Sequence, residues 1–244
     1  MAKDFDCIIL LNVIIKHKVP VNREQSSAQP RKHRVNEDFF KVRSHEMTWV
    51  LGLCYRTVSE NAHSINFVQK DERILKIVAK YMEADYVIQG ISKTRTVPIL
   101  VINSRELKKD LAGMGISSNK SLTLPFPEVP EAYLGSFIRG VMDGDGHVAS
   151  NGYTLNVTTG SNSFALGLLV NSYISEDTSS GFNTIYRVRV SGKKDLIHLS
   201  ELLYEHANDD DFHFYKRVYI SQHSKKPFIM EDDRSNKGWE IIDG

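Results

Sequence analysis

The chain lacks almost everything that would staple or anchor it. It has two cysteines in 244 residues, Cys7 and Cys54, too few for a disulfide framework and without zinc-ligand spacing. That usage suits a reducing compartment, and Cys54, set in an apolar stretch, reads as a small core residue. No apolar run is long enough to span a bilayer: the longest, residues 5–15, is broken by Asp6 and Asn12 and reads as a strand or a buried helix. No small-residue cleavage site follows it, so the expected location is cytoplasmic, nucleoid-associated or an organellar matrix, with no membrane contact and no secretion. An excess of one charge is missing too. With 31 basic and 30 acidic residues the formal net charge is +1, so any basic surface must arise by segregation. Three catalytic or binding signatures fail. His45-Glu46 has Trp49 where a second zinc histidine would stand, and no full G-x-G-x-x-G occurs. The acidic run at Asp143 has Thr154, not Glu, at the twelfth position of a calcium loop.

What the chain does have is enough apolar residue for a core, 41% of the total, and one organising stretch. Residues 137–146, Phe-Ile-Arg-Gly-Val-Met-Asp-Gly-Asp-Gly, read as an apolar helix ending in two carboxylates set among glycines, where the backbone can turn sharply and approach a ligand. The position 88 residues before Asp145 is Thr57, and residues 48–57 repeat the apolar half in register: Trp49 with Phe137, Val50 with Ile138, Gly52 with Gly140, Leu53 with Val141, Cys54 with Met142. Matched small residues suit two helices whose backbones touch.

The surrounding pattern also repeats. In the first half, an alternating strand at 64–69 precedes a helix capped by Asp71, strands at 85–91 and 96–103 joined through residues 92–95, and a helix from Ser104 to about Met114. In the second, a strand at 153–159 is followed by a helix from Ser161 to about Tyr173, a strand at 184–191 and a helix from Lys193 to about His206. A replayed unit of this size implies a two-fold relation between halves. Pro125, Pro127 and Pro130 mark residues 122–130 as the linker. Residues 16–43 carry eight scattered cations around Pro20 and Pro30 and read either as a solvated linker or as a basic arm lying along phosphates.

Residues 138–146 resemble the signature nonapeptide of the LAGLIDADG homing endonucleases, and the likeness extends over residues 36–220. The resemblance implies an α+β fold: two pseudo-symmetric αββαββα-type repeats with paired central helices and a saddle of antiparallel strands. It divides the chain into an N-terminal extension and basic arm (1–35), a first repeat (36–121, motif 50–58), a proline-rich linker (122–130), a second repeat (131–220) and a C-terminal tail (221–244). It implies a monomer that binds double-stranded DNA for intron or intein homing and hydrolyses it with Mg2+ or Mn2+. The metal-binding acid is Asp145. Thr57 stands at the other acid position, and a hydroxyl brings no negative charge to a hard cation. Cleavage is then reduced to nicking, or lost in a DNA-binding regulator; a maturase-like RNA-binding protein is also open at this point. By the same resemblance Lys120 and Lys216, each after the last helix of its repeat, stabilise charge on the phosphate, and Gly52 and Gly140 form the helix seam. Asp143 reads as a cap or structural partner. The polar strand positions Asn66, Gln69, Gln89, Ser92, Lys93, Arg95, Thr154, Asn156, Thr158, Arg187 and Arg189 are the base-reading candidates. Strand register decides which face each occupies.

Overall fold

The computed structural model describes residues 33–56, 64–93, 95–116, 123–168, 173–177, 184–208 and 211–229. The chain divides into two compact units, Met1–His33 and Arg34–Gly244; the fold described here belongs to the second. Its first half contains α1 (His45–Leu53), a 3-10 turn (Cys54–Arg56), β1 (Ser64–Val68), α2 (Glu72–Tyr81), β2 (Ile99–Asn103) and α3 (Arg105–Gly113). The second half contains α4 (Glu131–Asp145), β3 (Gly146–Val148), β4 (Thr154–Thr159), α5 (Asn162–Gly167), β5 (Tyr173–Asp177), β6 (Ile185–Ser191), α6 (Lys193–Tyr204) and α7 (Phe214–Ser221).

Local chemistry sets the helix starts. Ser44, Asp71, Ser104 and Ser161 each sit in extended backbone and accept a hydrogen bond from the first-turn N–H of the helix that follows, the usual means of satisfying those unpaired donors. Every residue of α1 from Met47 to Leu53 is buried, as is α4 from Gly135 to Asp143. Helices apolar all round must lie between other layers. They do: the sheets cover them, β1 and β2 turning Ile65, Phe67, Leu100 and Ile102 inward, β4 and β6 turning Leu155, Val157, Val188 and Val190 inward. All strand pairs are antiparallel, and the second sheet has the order β3-β4-β6-β5. The architecture is α+β.

Four sequence expectations change. Residues 85–91 do not form a strand. Their only ladder contact is the Gln89–Ile99 bridge; at the start of the segment the Asp85 N–H goes to the Arg34 carbonyl instead of to a strand partner. The helix expected from Ser161 to Tyr173 ends at Gly167, and Tyr173 opens β5. Lys216 does not follow the last helix but lies inside α7. The basic segment 16–43 is not one arm: from Arg34 on it is folded, with Phe39 and Phe40 buried, Asn36 N–H on the Met82 carbonyl and Arg34 N–H on the Asp85 carboxylate. Thr57 and Lys120 lie outside the described residues, as do residues 16–32.

Candidate functional site

The seam between α1 and α4 is built at two glycines. A Cβ on Gly52 would sit against the Phe137 carbonyl oxygen and 2.7 Å from Val141 N; one on Gly140 would meet the Trp49 carbonyl, 2.9 Å from its carbon. Only hydrogen fits on either side. Around this crossing the residue three before each glycine meets the residue three after the other. Trp49 Nε1 donates to Asp143 Oδ2 at 3.0 Å. Phe137 meets Tyr55 edge to face, with ring centroids 5.8 Å apart at 77°. One pseudo-two-fold relation therefore joins a polar pair to an aromatic one.

The C-terminal end of α4 carries both carboxylates, in different settings. Asp143 is fully buried, and its other oxygen accepts the His213 backbone N–H at 3.2 Å; it is a structural partner. Asp145 is the last residue of α4, half-buried, just before β3. Lys216 is buried, and its Nζ donates to the Met142 carbonyl at 2.6 Å and the Asp143 carbonyl at 3.2 Å. Those carbonyls belong to the last turn, where the helix supplies too few donors and its dipole favours a cation. Burial lowers the Lys216 pKa to about 8, against the opposing pull of the Asp143 and Asp145 charges. The ammonium is thus held against the helix end that presents Asp145.

The matching end of α1 is differently employed. Tyr55 stands where Asp143 stands in the second half. Its hydroxyl donates to the Pro125 carbonyl and its ring stacks on Phe164 at 3.9 Å; burial pushes its phenol pKa up. Ser161 and Ser163 hydroxyls donate to the Leu124 carbonyl at 2.6 and 3.1 Å. Together these contacts pin the linker.

Two polar clusters that the sequence reading missed join the halves. Arg139 and Asp211 form a fully buried ion pair, 2.8 Å, with Tyr81 donating to the same Asp211 oxygen at 3.2 Å. His213 places Nδ1 3.6 Å from Asp71 Oδ2 and Nε2 3.2 Å from Gln69 Oε1. Burial works to raise the Asp71 pKa, but His213, the Arg73 charge and a backbone N–H outweigh it and hold it below the ordinary value. Arg139 offered a signal in sequence: it is a charge inside an apolar helix, opposite Leu51 in the first copy. Asp211 and His213 offered none, since their partners are remote in the chain.

Register settles the sheet faces. In the second sheet Thr154 pairs with Ser191, Asn156 with Arg189 and Thr158 with Arg187, so these side chains share the face opposite the buried Leu155, Val157, Val188 and Val190. Exposed His147 pairs with Asn156 on that face, and Arg189 Nε donates to Asn156 Oδ1 at 3.0 Å. In the first half, Asn66 lies on the outward face opposite Val101, Gln89 and Lys93 are exposed, and Arg95 turns back toward the Gly90 carbonyl. Gln69 does not join that face; it is engaged by His213.

Residues 132–204 match the family model described as a LAGLIDADG-like domain. The chain is similar to I-DmoI solved in complex with DNA and manganese, at 15% identity over 67% of this chain and 98% of that one, with a TM-score of 0.43. It is also similar to the LAGLIDADG meganuclease I-AabMI bound to uncleaved DNA, at 15% identity over 64% and 82% of the two chains, with a TM-score of 0.40. No curated protein matches.

Proposed function

We propose that this chain, whose residues 132–204 form a LAGLIDADG-like domain, acts as a monomer that binds double-stranded DNA along the outward faces of its sheets and cuts one strand at the α4 end of the seam. The observation that carries the reading is the face of the second sheet, where register gathers Thr154, Asn156, Thr158, Arg187 and Arg189. A twisted ribbon fits the major groove, and Arg and Asn there match guanine and adenine edges.

Asp145 would hold the metal. Among the described residues no group of three or more His, Cys, Asp or Glu could hold one. Magnesium, however, is commonly bound by one or two carboxylates together with substrate phosphates, so Asp145 fits Mg2+ or Mn2+ as a single protein ligand completed by DNA. When bound, such an ion supplies Lewis acidity and an activated water. Lys216 contributes by fixing the Met142 and Asp143 carbonyls, and with them the backbone that presents Asp145.

A second reading, a DNA-binding regulator without cleavage, draws support from Tyr55, which ties the corresponding end of α1 to the linker. The test is a target selected from a randomised duplex pool, placed in a supercoiled plasmid and incubated with Mg2+ or Mn2+. Nicked circles that disappear with Asp145→Asn are expected. Linear product would contradict the single-strand reading, and unchanged plasmid with intact binding would favour the regulator.

A further inference from the structure

The outward face of the first sheet does not carry the chemistry of the second. Val68 stands opposite Ile99, Asn66 opposite Val101, and Gln89 bridges to Ile99 from the other side. Along the segment through Gln89, Tyr86 and Ile88 pack on the core, whereas Val87 and Ile91 are 73% and 72% exposed, and Val68 is 46% exposed. Ile99 and Val101 are half-buried beside them. The face is therefore aliphatic, with two amides and no charge among these positions. Cations stand at its margin: Lys70 just beyond β1, and Lys93 and Arg95 around the Ser92–Arg95 bridge.

Exposed apolar side chains gathered in this way mark a contact surface. Their cationic margin suits phosphates, and would repel the same margin on a second copy of the chain. Within a major groove the apolar feature is the C5-methyl of thymine. Resting on the reading of the chain as a DNA-binding protein, we propose that its two halves recognise bases by different chemistries. Val68, Val87 and Ile91, flanked by Ile99 and Val101, contact thymine methyl groups, so the half-site on the first sheet is thymine-rich. The half-site on the second sheet is read by Arg187 and Arg189 through guanine.

The test uses the intact chain and a duplex selected from a randomised pool. Deoxyuridine, which lacks only the methyl group, replaces thymine in one half-site and then in the other. Affinity is expected to fall about fourfold for each contacted methyl in one half-site and to change less than twofold in the other. The triple variant Val68→Ser, Val87→Ser, Ile91→Ser, altered only at exposed positions, should bind thymine and uracil versions of the sensitive half-site equally. Equal sensitivity of both half-sites, insensitivity of both, or a variant that still discriminates thymine from uracil overturns the proposal. So does a wild-type dimer that the variant converts to a monomer, which would make the face a self-association surface. If no duplex is selected at all, the DNA-binding reading itself fails.

Discussion

At the residue scale, the two acids at the end of α4 should separate cleanly by experiment. Asp143→Ala removes the acceptor of two buried donors, Trp49 Nε1 and His213 N, and unsatisfied buried groups cost about 1–3 kcal/mol each. Urea unfolding is expected to show a loss of about 2–6 kcal/mol. Asp145→Asn, at a half-buried helix end, is expected to leave unfolding within about 1 kcal/mol of wild type while removing nicking. Asp211 gives a pH test. Burial raises its pKa from 3.8 to about 6, although Arg139 pulls the other way. Because the folded pKa lies above the unfolded one, the folded state holds the extra proton between these values. The contribution of Asp211 to stability is therefore full below about 3.8 and lost as pH rises through about 6. The stability difference between wild type and Asp211→Asn, followed by thermal unfolding from pH 3.5 to 7, should trace that fall. Of these residues, sequence made Asp143 and Asp145 legible, because a pair of acids framed by glycines is a local pattern. The Arg139–Asp211 pair spans 72 positions, and no local pattern reports it.

At the element scale, the glycine crossing predicts an unequal series. Gly52→Ala and Gly140→Ala drive a Cβ into the opposing backbone, which cannot swing aside as a side chain can; each is expected to cost about 3 kcal/mol or more, at or beyond the upper end for overpacking. The nearest atoms to a Cβ on Gly144 are those of Leu53, at 4.0 Å, so Gly144→Ala is expected to be neutral or slightly stabilising. Denaturant midpoints of the three variants measure this directly. Helix starts were legible because their caps are short-range: Asp71 and Ser104 both cap as their positions suggest. Helix and strand ends were less so. Residues 85–91, with Tyr86, Val87 and Ile88, suit a strand, yet ladder pairing depends on a partner, and only Gln89 finds one, at Ile99, while Asp85 N–H is taken by the Arg34 carbonyl. Phe214, Tyr215, Lys216 and Arg217 show no simple apolar face, so the sequence does not report a helix over 214–221; α7 is held by Lys216 on the carbonyls at the end of α4 and by Phe228, whose ring lies parallel to that of Phe214 at 6.2 Å.

At the scale of the whole molecule, with Asp145 proposed to hold the metal and Asp143 occupied by Trp49 and His213, metal and DNA are expected to bind together. Magnesium alone is expected to leave the melting temperature of the free protein unchanged, and to raise it when the selected duplex is present, as linkage requires of a ligand completed by phosphate. Differential scanning fluorimetry with and without DNA checks this. The two-part plan was legible because the apolar half of the motif recurs in register; the unequal faces of the two sheets were not, since burial and register decide which side chains reach solvent. The crossed pairs beside the glycines carry one more consequence. If two copies of the second half met at Gly140, Phe137 would face Asp143 and leave one oxygen of a buried carboxylate, the one that Trp49 now serves, without its donor. If two copies of the first met at Gly52, Trp49 would face Tyr55 and lose its acceptor. Only the unlike pairing satisfies both corners, so the seam works as a mating code. Produced as separate chains, the halves are expected to combine with each other and not with themselves, which size-exclusion chromatography of each half alone and of the mixture would show.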